Sequence, residues 1–260
     1  MFIDSHCHLN FGDLATHCDE VLTRAREVGV ERFVAIGTTR GEYEEVCRIA
    51  ETHKDVFCSV GVHPQEAEKP GELITAEELA VMAAHPRVVG IGETGLDYFY
   101  DEIPHDAQER NFRQHIRACI ATKLPLIIHT REAEADTLRI LQDERAGHED
   151  ELTGVFHCYS SNLALAKAGL DLGFYFSFSG MLTFKKSENV REVAAIIPLD
   201  RLLIETDSPY LAPEPYRGKP CEPSYVVHTA ARLAAVKGVG VSAIERATTE
   251  NFFRLFKKAS

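Results

Sequence analysis

The sequence predicts an α/β fold: a closed (β/α)8 TIM barrel with additional C-terminal helices, forming one domain over residues 1–260. Three observations lead there. Eight short apolar runs alternate with segments whose apolar residues return every three or four positions. The length of 260 residues is close to the roughly 250 typical of such barrels. The polar residues stand at the C-terminal ends of many runs, and no G-x-G-x-x-G turn follows the first strand, as a doubly wound dinucleotide fold would need.

In chain order, strand Phe2 to His6 precedes a helix from Asp19 to Val28, in which Val21, Leu22, Ala25 and Val28 share a face and Gly29 supplies a left-handed stop. Strand Glu31 to Gly37 pairs with helix Tyr43 to Thr52, and Val56 to Val62 with Ala76 to Ala84. Strand Val88 to Glu93 precedes Ala107 to Thr122, where Phe112, Ile116, Cys119 and Ile120 align. Pro125 opens the fifth strand, Leu126 to His129, where its missing donor costs least, and helix Ala133 to Arg145 follows. Strand Gly154 to His157 leads into Leu163 to Ala168, with Gly169 expected as the stop. Strand Phe174 to Phe178, helix Glu188 to Ile197 and strand Arg201 to Thr206 complete the set. Residues Pro209 to Pro223, restricted by Pro213, Pro215 and Pro220, read as an ordered rim loop. Two terminal helices follow, Tyr225 to Val236 and Val241 to Phe256; Phe252, Phe253, Leu255 and Phe256 should hold the last one against the barrel.

Composition narrows the function. With 45% hydrophobic and 26% charged residues the chain is neither disordered nor fibrous. Its 28 basic against 40 acidic residues give a net charge of −12, which excludes a surface-wide basic field for nucleic acid. Seven scattered cysteines without a C-x-x-C pair fit neither a disulfide framework nor a thiolate zinc site. The start lacks the pattern of a signal peptide, and no run is long enough to cross a bilayer, so a cytoplasmic protein without a membrane partner is expected.

The chemistry collects at the strand ends. His6 and His8 flank Cys7, and strand alternation points both imidazoles one way and the thiol the other. Further ends carry His63, Glu93, His129, His157 and Asp207. In a barrel all of these share one rim, and a metal cluster satisfies together groups that would be costly to bury singly. His6, His8, Glu93, His129, His157 and Asp207 are too many donors for one tetrahedral ion; two divalent ions bridged by Glu93 and a hydroxide account for them, with Mg, Mn and Zn not distinguished. His63, before Pro64, is expected to face the substrate phosphate or leaving group. Arg131, Arg217 and Lys219 are candidate phosphate clamps; Asp97, Tyr98 and Tyr210 are candidate pocket walls, and Tyr98, Phe99 and Tyr100 candidate base-stacking groups. Asp4 is placed to orient a histidine and Glu205 to orient His63 or a loop. The remaining histidines, His115 among them, are expected to pack or lie on the surface, and no nucleophile elbow or Walker loop is present.

These stretches resemble the TatD family of metal-dependent deoxyribonucleases, within the wider amidohydrolase group of (β/α)8 barrels. The resemblance is carried by Phe2-Ile3-Asp4-Ser5-His6-Cys7-His8-Leu9, Gly61-Val62-His63-Pro64, the run from Gly90 to Tyr98, His129-Thr130-Arg131, His157-Cys158-Tyr159-Ser160 and the run from Leu203 to Leu211. It extends through Arg217-Gly218-Lys219 to residues 249–256. It implies that His6, His8, Glu93 and Asp207 serve one ion while Glu93, His129 and His157 serve the other. His63 then approaches the substrate, and Asp207, Glu93 and His63 carry the catalysis. It further implies hydrolysis of DNA phosphodiesters, including removal from a 3′ end, with DNA ends or single strands as substrate. Tyr159 stands where phenylalanine is frequent and is expected to keep an aromatic wall; Cys221 stands where relatives commonly have asparagine. Hydrolysis of a small ester or C–N bond by the same cluster is the alternative.

Overall fold

Short runs such as Val88-Val89 and Leu126-Ile127-Ile128 are apolar on both faces, which suits strands covered by helices outside and filled by side chains within. The computed structural model describes residues 1–100 and 102–260 and realises that arrangement. Strands β1 (Phe2–Cys7), β2 (Val30–Ala35), β3 (Val56–Val60), β4 (Val88–Asp97), β5 (Leu126–Arg131), β6 (Gly154–Phe156), β7 (Tyr175–Phe178) and β8 (Leu202–Ile204) lie parallel in chain order. The barrel closes at the rim, where Cys7 pairs with Ser208. There the His8 amide donates to the Ser208 carbonyl at 2.8 Å and the Asp207 amide to that of His6 at 3.0 Å. Closure thus ties together the two segments that carry three of the candidate ligands.

The helices are α1 (Gly12–Thr16), α2 (Cys18–Glu27), α3 (Tyr43–Thr52), α4 (Ala76–Ala83), α5 (His105–Thr122), α6 (Glu134–Arg145), α7 (Leu163–Asp171), α8 (Glu188–Ile196), α9 (Val226–Lys237) and α10 (Val241–Leu255). Their apolar faces cover the barrel through one continuous layer that includes Leu22, Val46, Leu79, Phe112, Ile140, Leu165 and Val193. A second layer fills the barrel floor. Ile3, Phe57, Val89, Ile127, Val155 and Leu203, from the first halves of their strands, meet Phe252 and Leu255 of α10 and Phe256 just beyond it, so the terminal helix plugs the end opposite the candidate site. Among the described residues no helix is long and apolar enough to cross a membrane. The proline-rich rim segment is ordered, with the Cys221 amide donating to the Pro209 carbonyl at 3.0 Å.

Three local expectations change. Strand β4 does not stop at Glu93 but keeps register with β5 to Asp97, pairing Gly95 with His129 and Asp97 with Arg131. Gly95 makes this approach possible: it sits at φ +138°, and a Cβ there would collide with the His129 carbonyl oxygen. Gly169 does not end its helix. The chain continues to Asp171 and turns at Gly173 (φ +85°), whereas Gly169 is small because Phe156 and Phe176 rest where its Cβ would be. Finally, the short helix α1 follows β1 without any predicted counterpart.

Candidate metal centre

The donors gather at the C-terminal halves of the strands and just beyond them. His6 lies near the end of β1 and His8 just beyond it, while His129 is inside β5. Glu93 falls within β4, His157 immediately follows β6, and Asp207 comes in the segment after β8. Strand alternation separates the first pair from Cys7, whose buried thiol points to the Val34 carbonyl at 3.4 Å. The Asp207 and Cys158 backbones are left-handed, at φ +57° and +42°, an arrangement that costs about 1–3 kcal/mol for a non-glycine residue and persists where surrounding structure fixes it.

Glu93 is the centre of the cluster, and its two oxygens face different partners. Oε1 lies 2.8 Å from His157 Nε2, 3.1 Å from His129 Nδ1 and 3.6 Å from His63 Nε2. Oε2 lies 3.3 Å from His6 Nε2 and 3.9 Å from His8 Nε2. Asp207 Oδ1 completes the second side at 3.3 Å from His8 Nε2 and 3.6 Å from His6 Nε2. Three overlapping triplets have donor atoms close enough to share an ion: His6, His8 and Asp207; His6, Glu93 and His157; and His63, Glu93 and His129.

The chemistry of these donors fits a divalent metal. His6 is 1% exposed, yet among the described residues neither ring nitrogen has a hydrogen-bond partner, an expensive state that an ion relieves. Burial and neighbouring His157 push the His6 imidazole down, and burial drives that of His63 down to about 3, so both rings are neutral; the Gln65 amide donates to His63 Nδ1 at 3.1 Å, which leaves the proton of that ring on Nε2. Burial alone would raise the Glu93 carboxyl, but the imidazoles of His157, His63 and His129 outweigh it and hold the group well below the usual carboxylate range. Asp207 is likewise held anionic, against its burial, by His8, His6 and His157.

A second ring of groups orients the first. His129 turns Nδ1 toward Glu93 and Nε2 toward Asp97 Oδ2 at 3.1 Å. His157 turns Nδ1 toward Glu205 Oε1 at 3.4 Å, and that oxygen also accepts the Cys158 amide at 2.6 Å. Glu205 therefore faces His157, not His63 as the sequence suggested; the long-range neighbour of a strand-end carboxylate is set by barrel closure. Asp4 accepts from the Thr206 amide and hydroxyl at 2.9 and 2.5 Å and from the His6 amide at 3.3 Å. It holds the backbone of both ligand segments and, among the described residues, hydrogen-bonds to no imidazole nitrogen.

His63 is presented by a buried clamp. The Val62 amide donates to His115 Nε2 at 2.9 Å, and Asn111 Nδ2 donates to the Val62 carbonyl at 2.8 Å, so two residues of α5 hold both backbone groups next to His63. Asp97 lines the cavity as the sequence suggested, but neither its contact with His129 nor the clamp was anticipated. A continued period-two reading from Glu93 through Gly95 would have put Asp97 on the ligand face, and polar Asn111 and His115 beside the apolar face of α5 were the available sign of the clamp.

The cluster opens into a cavity of about 670 Å³ lined by His8, His63, Glu93, His129, Arg131 and Tyr210, among others. Arg131 reaches it with its guanidinium 3.5 Å from the Phe99 ring centre. Arg217 and Lys219 do not: they line an adjoining groove that shares Tyr210 and Leu211, and Arg217 lies over Phe184 at 3.6 Å. Phe99, Tyr100 and Tyr210 are exposed. Tyr98 instead turns to Asp136 and stacks on His105, and Tyr159 is buried between barrel and helices, its hydroxyl donating to the Asn162 carbonyl at 2.6 Å. Neither forms the expected wall.

The family model described as TatD related DNase matches residues 3–257. The chain belongs to this family. It is 42% identical over 257 residues to the metal-dependent hydrolase YcfH of Escherichia coli K12, covering 98% of this chain and 95% of that protein. It is 40% identical over 260 residues to the metal-dependent hydrolase YabD of Bacillus subtilis, covering 99% of each. The crystal structure of YJJV, a TatD homologue from E. coli K12, superposes with a TM-score of 0.91 at 27% identity, covering 98% of both chains. Membership and the donor cluster together make this TatD-family protein a metal-dependent hydrolase.

Proposed function

We propose that the protein, acting as one unit over residues 1–260, hydrolyses DNA phosphodiester bonds at 3′ ends or accessible single strands, using two divalent ions. The division of Glu93 between two donor groups carries the two-ion reading: Oε1 toward His129 and His157, Oε2 toward His6 and His8 with Asp207 beside them. Divalent ions bound there lower the pKa of water and offset charge on the scissile phosphate. Asp207, at the open edge of the cluster, accepts the proton of the attacking water. His63, held through Val62 by the α5 clamp, contacts the phosphate or the leaving oxygen. Arg131 supplies the nearest guanidinium for a phosphate, while Phe99, Tyr100 and Tyr210 offer stacking faces around the mouth. Arg217 and Lys219 are assigned to a strand leaving by the adjoining groove.

The test is a panel of 3′-labelled and 5′-labelled single-stranded DNA, duplex DNA, RNA and small carboxylic and phosphate esters, each with Mg, Mn or Zn. Stepwise release of the 3′ label from DNA is expected. Turnover of a small ester or amide with every DNA untouched would instead assign the cluster to the alternative chemistry.

A further inference from the structure

Away from the metal centre, the outer wall of the barrel holds a close pair of thiols. Cys47 on α3 and Cys58 on β3 face each other with sulfurs 3.8 Å apart. Cys58 is fully buried and Cys47 is 6% exposed. Three of the other five cysteines have partners of another kind: Cys7 points to a backbone carbonyl, Cys158 to Ser179 and Met181, and Cys221 to the Glu222 carbonyl. Among the described residues, Cys47 and Cys58 make the one thiol–thiol hydrogen-bonding contact.

We propose that Cys47 and Cys58 form a peroxide-oxidisable dithiol that closes to an intramolecular disulfide between α3 and β3. The sulfurs must approach from 3.8 Å to about 2.05 Å, a change within reach of side-chain rotation because the thiols already touch. The roles divide by surroundings. The Cys58 thiol lies within hydrogen-bonding reach of the Cys47 sulfur and His85 adds a favourable charge, bringing Cys47 down to about 7, whereas the same contact and burial push Cys58 up. Cys47 is also the less buried of the two.

In the first step the Cys47 thiolate attacks one oxygen of a hydroperoxide. The S–O bond forms, the O–O bond breaks, and the departing oxygen leaves as hydroxide or alkoxide and takes up a proton, leaving Cys47 as a sulfenic acid. In the second, Cys58 loses its proton and attacks the Cys47 sulfur; the S–S bond forms, the S–O bond breaks, and hydroxide leaves as water. The two thiols together give up two electrons, and the peroxide accepts two.

The experiment treats the full-length, metal-loaded protein with hydrogen peroxide, alkylates it under denaturing conditions and maps peptides without reduction. The expected result is a Cys47–Cys58 linked peptide, with alkylatable thiols falling from seven to five and returning to seven after dithiothreitol. C158S should leave the link intact, and C58S should leave a Cys47 sulfenic acid that dimedone traps. Full alkylation of Cys47 and Cys58 in wild type, at a peroxide dose that oxidises Cys158 in the cavity, would overturn the proposal. So would a Cys47 sulfinic acid without any linked peptide. Both overturning outcomes are read in the wild-type protein and do not depend on how a variant folds.

Discussion

At the scale of single residues, Glu93 and Cys7 are both buried near the same rim yet face opposite ways. Glu93→Gln removes charge from the oxygen pair that meets both donor groups, and turnover should fall by about 100-fold or more with loss of bound metal. Cys7→Ala removes a thiol aimed at a backbone carbonyl, and turnover should stay within about twofold. Metal analysis and rates on the two proteins check this; full metal content and a near-normal rate in Glu93→Gln would contradict the bridging role. Asp97→Asn and Glu205→Gln act one step removed, through His129 and His157, and should each weaken metal affinity by about 10–100-fold, measured by competition with a chelator of known strength. The six proposed ligands were legible in the sequence because each ends an apolar run. Glu205 was legible as an orienting group, but its pairing with His157 and that of Asp97 with His129 were not, since strand alternation gives the side a residue faces and not the distant residue it meets.

At the scale of elements, eight strands could be read from their apolar runs because a barrel strand is covered on both faces. The extension of β4 escaped that reading because Gly95 and Asp97 are residue types that strands disfavour; pairing with β5 overrides their preference. Helix α5 bears on stability as well as on the site. Burial holds the His115 imidazole down to about 4, while in the unfolded chain it takes a proton near its ordinary 6.5. Folded pKa below unfolded pKa means that the unfolded state binds the proton first. The stabilising contribution is therefore complete above about 6.5 and is lost as pH falls toward 4, by up to about 3 kcal/mol. Denaturant unfolding of wild type and His115→Gln between pH 7 and 4.5 isolates the effect: wild type should lose stability faster. Parallel curves would show that His115 does not carry it.

At the scale of the molecule, a net charge of −12 and a cavity in which Arg131 is the one candidate phosphate clamp leave little long-range attraction for DNA. With about three phosphate contacts, from Arg131 in the cavity and Arg217 and Lys219 in the adjoining groove, single-strand affinity should fall roughly 20-fold between 50 and 200 mM salt, far less than the roughly 1,000-fold of proteins that neutralise 6 to 10 phosphates of duplex DNA. Binding by metal-loaded Asp207→Asn protein, beside cleavage of linear and closed-circular DNA, checks this; rapid cutting of closed circles with a steep salt slope would reject action at ends. The barrel itself does not depend on the metal, because its floor is sealed by Phe252, Leu255 and Phe256 and its wall by a continuous apolar layer. The most direct measurement therefore follows bound metal, circular dichroism and release of a 3′ label while divalent ions are stripped and then returned in known amounts. The expected result is no turnover in the metal-free protein with the helical signal retained, and turnover that recovers as the second ion binds. Undiminished DNA hydrolysis in protein verified to be metal-free, or no DNA hydrolysis with two ions bound, would contradict the account.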